Sequence, residues 1–110
     1  MHELAITESI VAAVRDRLPD IPIRRVRVEV GQLSGVVADA LRFCFQLATQ
    51  GTTLEGAELD IVSSPGRGEC RDCGAEFDSG ELFMMCEKCG STEVEVTGGR
   101  QLLIKEVEVL

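Results

Sequence analysis

The chain has 110 residues, a formal net charge of −8 and a hydrophobic content of 45%. This length is near that of one average domain and argues against several large cores. The acidic balance argues against nucleic acid as a partner, because lysine and arginine contacts to phosphate supply most of the affinity for nucleic acid. No segment approaches the eighteen or so apolar residues of a membrane helix, and the opening residues lack the pattern of a signal peptide. We therefore expect a cytoplasmic protein that binds no membrane.

The first predicted element is an amphipathic helix over about residues 4–18. Apolar side chains recur there at helical spacing, with charged side chains on the other face. The apolar positions are Leu4, Ile10, Val11, Val14 and Leu18. Pro19 ends the helix, because the residue before a proline is pushed out of the helical region.

A half-buried strand and a second helix follow. Residues 23–30 alternate strictly, with Val26, Val28 and Val30 on one face and charged residues on the other. Helical spacing returns over residues 38–49, where we expect Cys44 to pack as a small hydrophobe.

Two further strands complete a predicted α+β unit. Residues 58–64 alternate again, and the last strand covers residues 101–109. A sheet of three strands buries one face only if helices lie on it, so we predict two helices packed on a small three-stranded sheet. The segment between the last two strands is then an inserted domain, which predicts one domain from 1–66 plus 100–110 and a second domain from 67–99.

The inserted segment contains two Cys-x-x-Cys-Gly knuckles. A two-residue gap lets a tight turn aim both sulfurs at one point, and the glycine after each pair permits a positive φ. Four thiolates with no histidine or carboxylate among them are typical of a closed structural zinc site. Two redox pairs or a disulfide framework are the competing interpretations. The predicted ligands are Cys70, Cys73, Cys86 and Cys89.

Metal is expected to hold this small zinc-ribbon domain together. Its apolar residues are too few for a stable core without an ion, and we expect the pair Met84 and Met85 to fill what core there is. The apolar residues are Phe77, Leu82, Phe83, Met84, Val94 and Val96. Residues 67–99 carry a net charge of −5, so the ribbon lacks the positive field that nucleic-acid binding requires.

A second candidate metal site lies at the N-terminus. The Met1 amine, the His2 amide nitrogen and the His2 imidazole can close adjacent chelate rings around one ion, with Glu3 adding an oxygen or orienting the imidazole. Such a set of nitrogens suits square-planar Ni²⁺ or Cu²⁺ better than Zn²⁺. The alternative is that His2 belongs to a frayed terminus and binds nothing.

Five features together resemble the HypA/HybF family of hydrogenase nickel-incorporation proteins. They are the opening Met-His-Glu, the run Val-Glu-Val-Gly-Gln-Leu-Ser-Gly-Val at 28–36, Glu-Gly-Ala-Glu-Leu at 55–59, the doubled knuckle, and the closing Ile-Lys-Glu-Val-Glu-Val. The resemblance runs from end to end of the chain. It implies nickel ligands at Met1, His2 and Glu3, and zinc ligands at the four knuckle cysteines.

The implied function is that of a nickel metallochaperone and not of an enzyme. The resemblance implies delivery of Ni²⁺ to the nickel-iron hydrogenase large subunit, with a HypB-type GTPase as partner and, in some members, urease maturation proteins. It leaves open whether the chain is a monomer or a dimer. The alternative is a zinc-ribbon interaction adaptor without metal transfer.

Overall fold

The computed structural model describes residues 3–110, which form two helices and six strands. The elements are α1 (Glu3–Arg17), β1 (Ile23–Gly31), α2 (Ala38–Ala48), β2 (Glu58–Ser64), β3 (Gly66–Cys70), β4 (Glu76–Ser79), β5 (Val94–Gly98) and β6 (Leu102–Val109). They divide into two compact units. The first contains 3–29, Val36–Val62 and Leu103–Leu110, and the second contains Val30–Gly35 and Ser63–Leu102.

The sheet of the first unit has the strand order β2-β1-β6. Ion pairs across the sheet give the direction of β6: Arg25 meets Glu108 and Arg27 meets Glu106. The residue numbers fall on β6 as they rise on β1, so these two strands are antiparallel. The ion pairs also cover this face of the sheet with alternating charge.

β2 runs parallel to β1, which makes the sheet mixed. Arg27 pairs with Asp60 at 2.7 Å, and the Gln32 amide donates to the Ser64 carbonyl at 2.9 Å, so the numbers rise together on both strands. Parallel neighbours need a crossover connection, and here α2 provides it. The predicted fold class, two helices with a three-stranded sheet and a ribbon carrying four cysteines, is confirmed.

The core of the first unit lies between the helices and the valine face of β1. Val26 and Val28 are buried there as predicted, because β1 has one charged face and one apolar face; Val30, also predicted and also buried, belongs to the second unit. The other core side chains of the helices are Ile10, Val11, Val14, Leu41 and Phe45. None of the helices among residues 3–110 is long and apolar enough to cross a membrane.

One predicted core position of α1 is wrong. Leu4 is 46% exposed, while Thr7 is fully buried one turn later. The Thr7 hydroxyl donates to the Leu4 carbonyl at 2.8 Å, so its polar atom is satisfied inside its own helix. A buried threonine therefore occupies the helix face where the apolar pattern predicted a leucine.

The second unit is built on an antiparallel sheet of order β4-β3-β5. Its centre is Gly68, where an added Cβ would lie 2.5 Å from the Met84 sulfur and 2.7 Å from a Val94 methyl group. Met84 is 5% exposed and fills the core as predicted, but Met85 is 58% exposed. The expectation that both methionines fill the core is therefore half wrong, and Leu82 and Phe83 are also exposed.

Three glycines allow the backbones of the second unit to cross closely. A Cβ at Gly31 would lie 2.0 Å from the Gly99 carbonyl oxygen, and a Cβ at Gly99 would lie 2.5 Å from the Gly66 Cα. Gly99 also has φ = +101°, which disfavours any side chain there. The two ends of the cysteine-bearing segment thus meet, as expected for an insertion. The independent folding of residues 67–99 stays a prediction.

Candidate metal centre

Of the three predicted nickel ligands, only Glu3 lies among the described residues. Met1 and His2 lie outside the described residues. Glu3 is the first residue of α1, and its Oε2 accepts the backbone N–H of Val37 at 3.3 Å, just before α2 begins. The Glu3 carboxylate therefore links the beginning of the chain to the beginning of α2.

The two cysteine knuckles have the same backbone geometry. In the first, the Cys70 N–H donates to the Ala75 carbonyl at 2.9 Å, and the Gly74 N–H donates to the Cys70 carbonyl at 2.8 Å. The second knuckle repeats both bonds sixteen residues later, at 2.8 Å each. The glycine has φ = +76° in the first knuckle and φ = +77° in the second. The predicted positive φ after each cysteine pair is therefore present in both turns.

The knuckles bring four sulfurs to one point. All four Sγ atoms lie within 4.8 Å of one another. Two distances between knuckles, Cys70 to Cys89 and Cys73 to Cys86, are 3.6 Å each. Four sulfurs bound 2.3 Å from one tetrahedral ion would be about 3.8 Å apart, whereas a disulfide requires about 2.05 Å. The spacing fits a shared metal ion, and the four cysteines are free thiols.

Burial divides the four sulfur ligands into two classes. Cys70 and Cys86, the first cysteine of each pair, are buried, and Cys73 and Cys89 are exposed. These two buried cysteines are also the ones whose backbone N–H closes the knuckle turn. The outer pair faces solvent, so any competing ligand would meet these two sulfurs first.

The local dipoles give the thiols unequal acidities. Hydrogen bonding from the Cys89 N–H is the largest effect that lowers the pKa of Cys86, to about 7. The Ser91 N–H lowers the pKa of Cys89, but its contact with Cys70 and its desolvation outweigh this effect and raise the pKa to about 12. Metal coordination requires thiolates. Metal uptake by the cluster is therefore coupled to the release of protons.

A polar pair that the sequence analysis did not identify joins the two knuckles. The Ser91 hydroxyl donates to the Asp72 carboxylate, which lies inside the first Cys-x-x-Cys. A second link connects the first knuckle to β5, where Arg71 lies 3.8 Å from Glu95. No sequence pattern indicates either pair, because their partners are about twenty residues apart and meet only in the folded ribbon.

The four-cysteine cluster offers structure rather than catalysis. Within residues 3–110 it is the group of metal-ligating side chains close enough to hold one ion. Four protein ligands complete a tetrahedral shell and leave no position for water or substrate, which is the feature of structural sites. Cys44 lies in α2 outside the cluster and is partly buried.

Comparisons with known proteins agree with this architecture. Residues 1–109 match the family described as HypA, hydrogenase/urease nickel incorporation, metallochaperone. The hydrogenase maturation factor HypA of Rippkaea orientalis is 50% identical over 109 residues, covering 99% of this chain and 96% of the relative. The HypA of Geobacter metallireducens is 45% identical over 109 residues, which cover 99% of this chain and 99% of the relative.

A solved structure has the same fold. The solution structure of the Ni metallochaperone HypA from Helicobacter pylori superposes with a TM-score of 0.69 at 28% sequence identity. The similarity covers 100% of this chain and 98% of that one. By full-length sequence match, fold and four-cysteine cluster, the chain belongs to the HypA family of nickel metallochaperones, which are maturation factors for hydrogenase and urease rather than enzymes.

Proposed function

We propose that the chain carries one Ni²⁺ at its N-terminus and delivers it to the nickel-iron hydrogenase large subunit. The observation that carries this proposal is the family match over residues 1–109, which includes the Met-His-Glu start. The ligands are the Met1 amine, the His2 amide and imidazole nitrogens, and Glu3. Nitrogen donors in adjacent chelate rings suit square-planar Ni²⁺, and the Glu3 carboxylate accepts the Val37 N–H just before α2.

Delivery requires affinity that is moderate rather than maximal. Each tenfold gain in nickel affinity adds about 1.4 kcal/mol that the receiving site must overcome. A chelate at a chain end, made largely of nitrogens that also bind protons near neutrality, can release its ion by protonation of the amine or imidazole. The closed sulfur cluster is poorly suited to this task, because four thiolates surround the ion.

The four knuckle cysteines hold a structural Zn²⁺ in this proposal. When bound, the ion neutralises part of the thiolate charge and fixes the two knuckles, which the small ribbon core cannot do alone. Support comes from the two sulfur distances of 3.6 Å, close to the edge of a zinc–thiolate tetrahedron. Metal analysis of the purified protein should give one zinc per chain.

The proposed setting is the cytoplasm, where a reducing environment keeps thiolates available for metal. The proposed partners are a HypB-type GTPase and the hydrogenase large subunit, with urease maturation proteins where that pathway is present. The family description, which names both hydrogenase and urease, supports this set. The chain acts as a monomer or a dimer.

Nickel titration with two N-terminal variants tests the proposal. His2→Ala removes the imidazole, and acetylation of the Met1 amine removes this donor while leaving every side chain in place. Both should abolish binding of one nickel per chain at micromolar concentration, whereas Glu8→Ala, a matched change on the exposed face of α1, should bind like the parent. Undiminished binding of one nickel in His2→Ala would contradict the proposal.

The exposed ribbon segment favours a second candidate function. Leu82, Phe83 and Met85 are 60%, 79% and 58% exposed, and such clustered apolar side chains are common where proteins bind one another. A zinc-ribbon adaptor without metal transfer would use this segment alone. It predicts that deletion of residues 1–3 leaves partner binding and hydrogenase maturation intact, whereas the metallochaperone proposal predicts that maturation fails.

A further inference from the structure

The side chains of Asp72 and Ser91 connect the two halves of the sulfur cluster. Asp72 lies between the two cysteines of the first knuckle, and Ser91 lies two residues after the last cysteine of the second. Their side chains are hydrogen bonded, with the Ser91 hydroxyl as donor and the Asp72 carboxylate as acceptor. A hydrogen bond to a charged acceptor is stronger than one between neutral groups.

Besides its N–H bond to the Cys89 sulfur, Ser91 takes part in three bonds that connect different parts of the ribbon. Its carbonyl accepts the N–H of Cys86 at 2.8 Å, which closes the second knuckle. Its hydroxyl accepts the N–H of Glu93 at 3.0 Å, just before β5, and donates to Asp72 in the first knuckle. Ser91 therefore joins the second knuckle, the lead into β5 and the first knuckle.

The two knuckles are otherwise equivalent, yet this link exists on one side only. Sixteen residues separate equivalent positions, so Asp72 corresponds to Lys88 and Ser91 corresponds to Ala75. Lysine and alanine cannot form the reciprocal bond, because lysine has no acceptor and alanine has no hydroxyl. The shared turn geometry does not require the link, and it is a separate feature of this chain.

Metal loss from such a cluster requires the knuckles to separate. The two exposed cysteines, Cys73 and Cys89, belong to different knuckles, and a competing ligand would approach one of them first. We propose that Asp72 and Ser91 are positioning residues that hold the knuckles together and slow metal exchange at the four cysteines. This inference rests on the proposed zinc site. Slow exchange would let a protein that binds Ni²⁺ keep its structural Zn²⁺, since the two ions lie close together in the affinity order of divalent ions.

The test is the rate of zinc release from the full-length protein to excess 4-(2-pyridylazo)resorcinol, followed by absorbance. Ser91→Ala should release zinc about fivefold faster, since it removes a charge-assisted hydrogen bond that is open to solvent. Asp72→Ala should show a similar or smaller effect. The double variant should release zinc no faster than Ser91→Ala, because both changes break the same hydrogen bond between Asp72 and Ser91. Ser91→Thr keeps the hydroxyl and should restore the slow rate.

Two ribbon residues whose bonds do not connect the two knuckles serve as matched controls. Ser79 bonds to Glu81 in its own turn, and Asp78 pairs with Arg67 across β3 and β4. Ser79→Ala and Asp78→Ala should release zinc at the parent rate. Equal acceleration by these controls, independent effects of the Asp72 and Ser91 changes, or release within twofold of the parent in Ser91→Ala would overturn the proposal.

Zinc content and cobalt substitution separate this proposal from the zinc site itself. Every variant should still bind one zinc per chain, and the Co²⁺-loaded forms should keep the absorption of a tetrahedral thiolate site. Absence of bound zinc in the parent would refute the zinc assignment. One zinc per chain with unchanged release rates in the variants would refute only the role of Asp72 and Ser91.

Discussion

The neighbouring residues Met84 and Met85 allow a sharp test of how the ribbon holds its metal. Met84 is 5% exposed, and its sulfur lies against Gly68, whereas Met85 is 58% exposed. Met84→Ala removes three heavy atoms, or about 2.4 kcal/mol at roughly 0.8 kcal/mol per buried methylene equivalent. This value lies at the lower end of the range of about 2–5 kcal/mol for buried methionine-to-alanine changes.

The loss of packing should be measurable as a loss of zinc affinity. Folding and metal binding are a single linked process in small metal-dependent units, so destabilisation of the folded ribbon weakens the binding of its ion. About 2.4 kcal/mol corresponds to a roughly fiftyfold weaker apparent zinc affinity, although Met84 is not a ligand. Met85→Ala should change the affinity by less than about threefold, since exposed positions rarely contribute more than about 0.5 kcal/mol.

Competition with a chromophoric zinc chelator at fixed pH measures both affinities. Circular dichroism of the zinc-loaded forms shows whether each variant still folds when metal is present. Equal affinity in the two variants would refute the reasoning, because it would mean that the knuckles bind zinc independently of the packing around Gly68.

Three further changes probe the nickel terminus, the glycine crossing and the charged sheet face. Glu3→Gln keeps an oxygen that can accept the Val37 N–H but loses the carboxylate charge. Nickel titration should show at least about tenfold weaker binding, and unchanged binding would contradict the assignment of Glu3 as a nickel ligand. Gly31→Ala places a Cβ 2.0 Å from a backbone oxygen and should cost about 3 kcal/mol in denaturant unfolding, whereas Gly80→Ala, whose nearest atom is 3.8 Å away, should change stability by less than about 0.5 kcal/mol. The hydrogen bond from Arg25 lowers the pKa of Glu108 below its ordinary value of 4.5. This pair therefore stabilises the fold above that pH, and its contribution is lost as the pH falls through the lowered pKa. Urea unfolding of Glu108→Gln should depend less on pH below about 4.5 than unfolding of the parent, and an unchanged pH dependence would contradict the linkage.

Periodic segments of the sequence predicted the first unit because one face of each element is buried. The strict alternation of β1 placed its valines in the core, and the predicted helix bounds lie within one residue of α1 and α2. The strands of the ribbon could not be predicted in this way. β3 contains Gly66 and Gly68, which have low strand propensity, and Gly68 is required because the Met84 side chain occupies the space above it.

The cysteine ligands were predictable because their chemistry and spacing are local. Each Cys-x-x-Cys-Gly turn determines its own backbone, and Gly74 and Gly90 adopt the positive φ that the motif indicates. The link between Asp72 and Ser91 was not predictable, since serine and aspartate are ordinary surface residues and only the paired knuckles bring them together. Likewise, no pattern distinguishes Met84 from Met85 in an irregular segment, where neither helical nor strand periodicity applies.

The chain passes between the two compact units four times, because Val30–Gly35 belongs with the ribbon while the residues on either side of it do not. In this short segment, Leu33 donates its N–H to the Gly99 carbonyl at 2.7 Å and packs its side chain near Gly66. A chimaera that exchanges only Ser63–Leu102 would combine Gly66 and Gly99 from a foreign ribbon with the resident Leu33. Exchange of ribbons between relatives therefore calls for transplanting Val30–Gly35 together with Ser63–Leu102, so that both partners of this contact come from one parent.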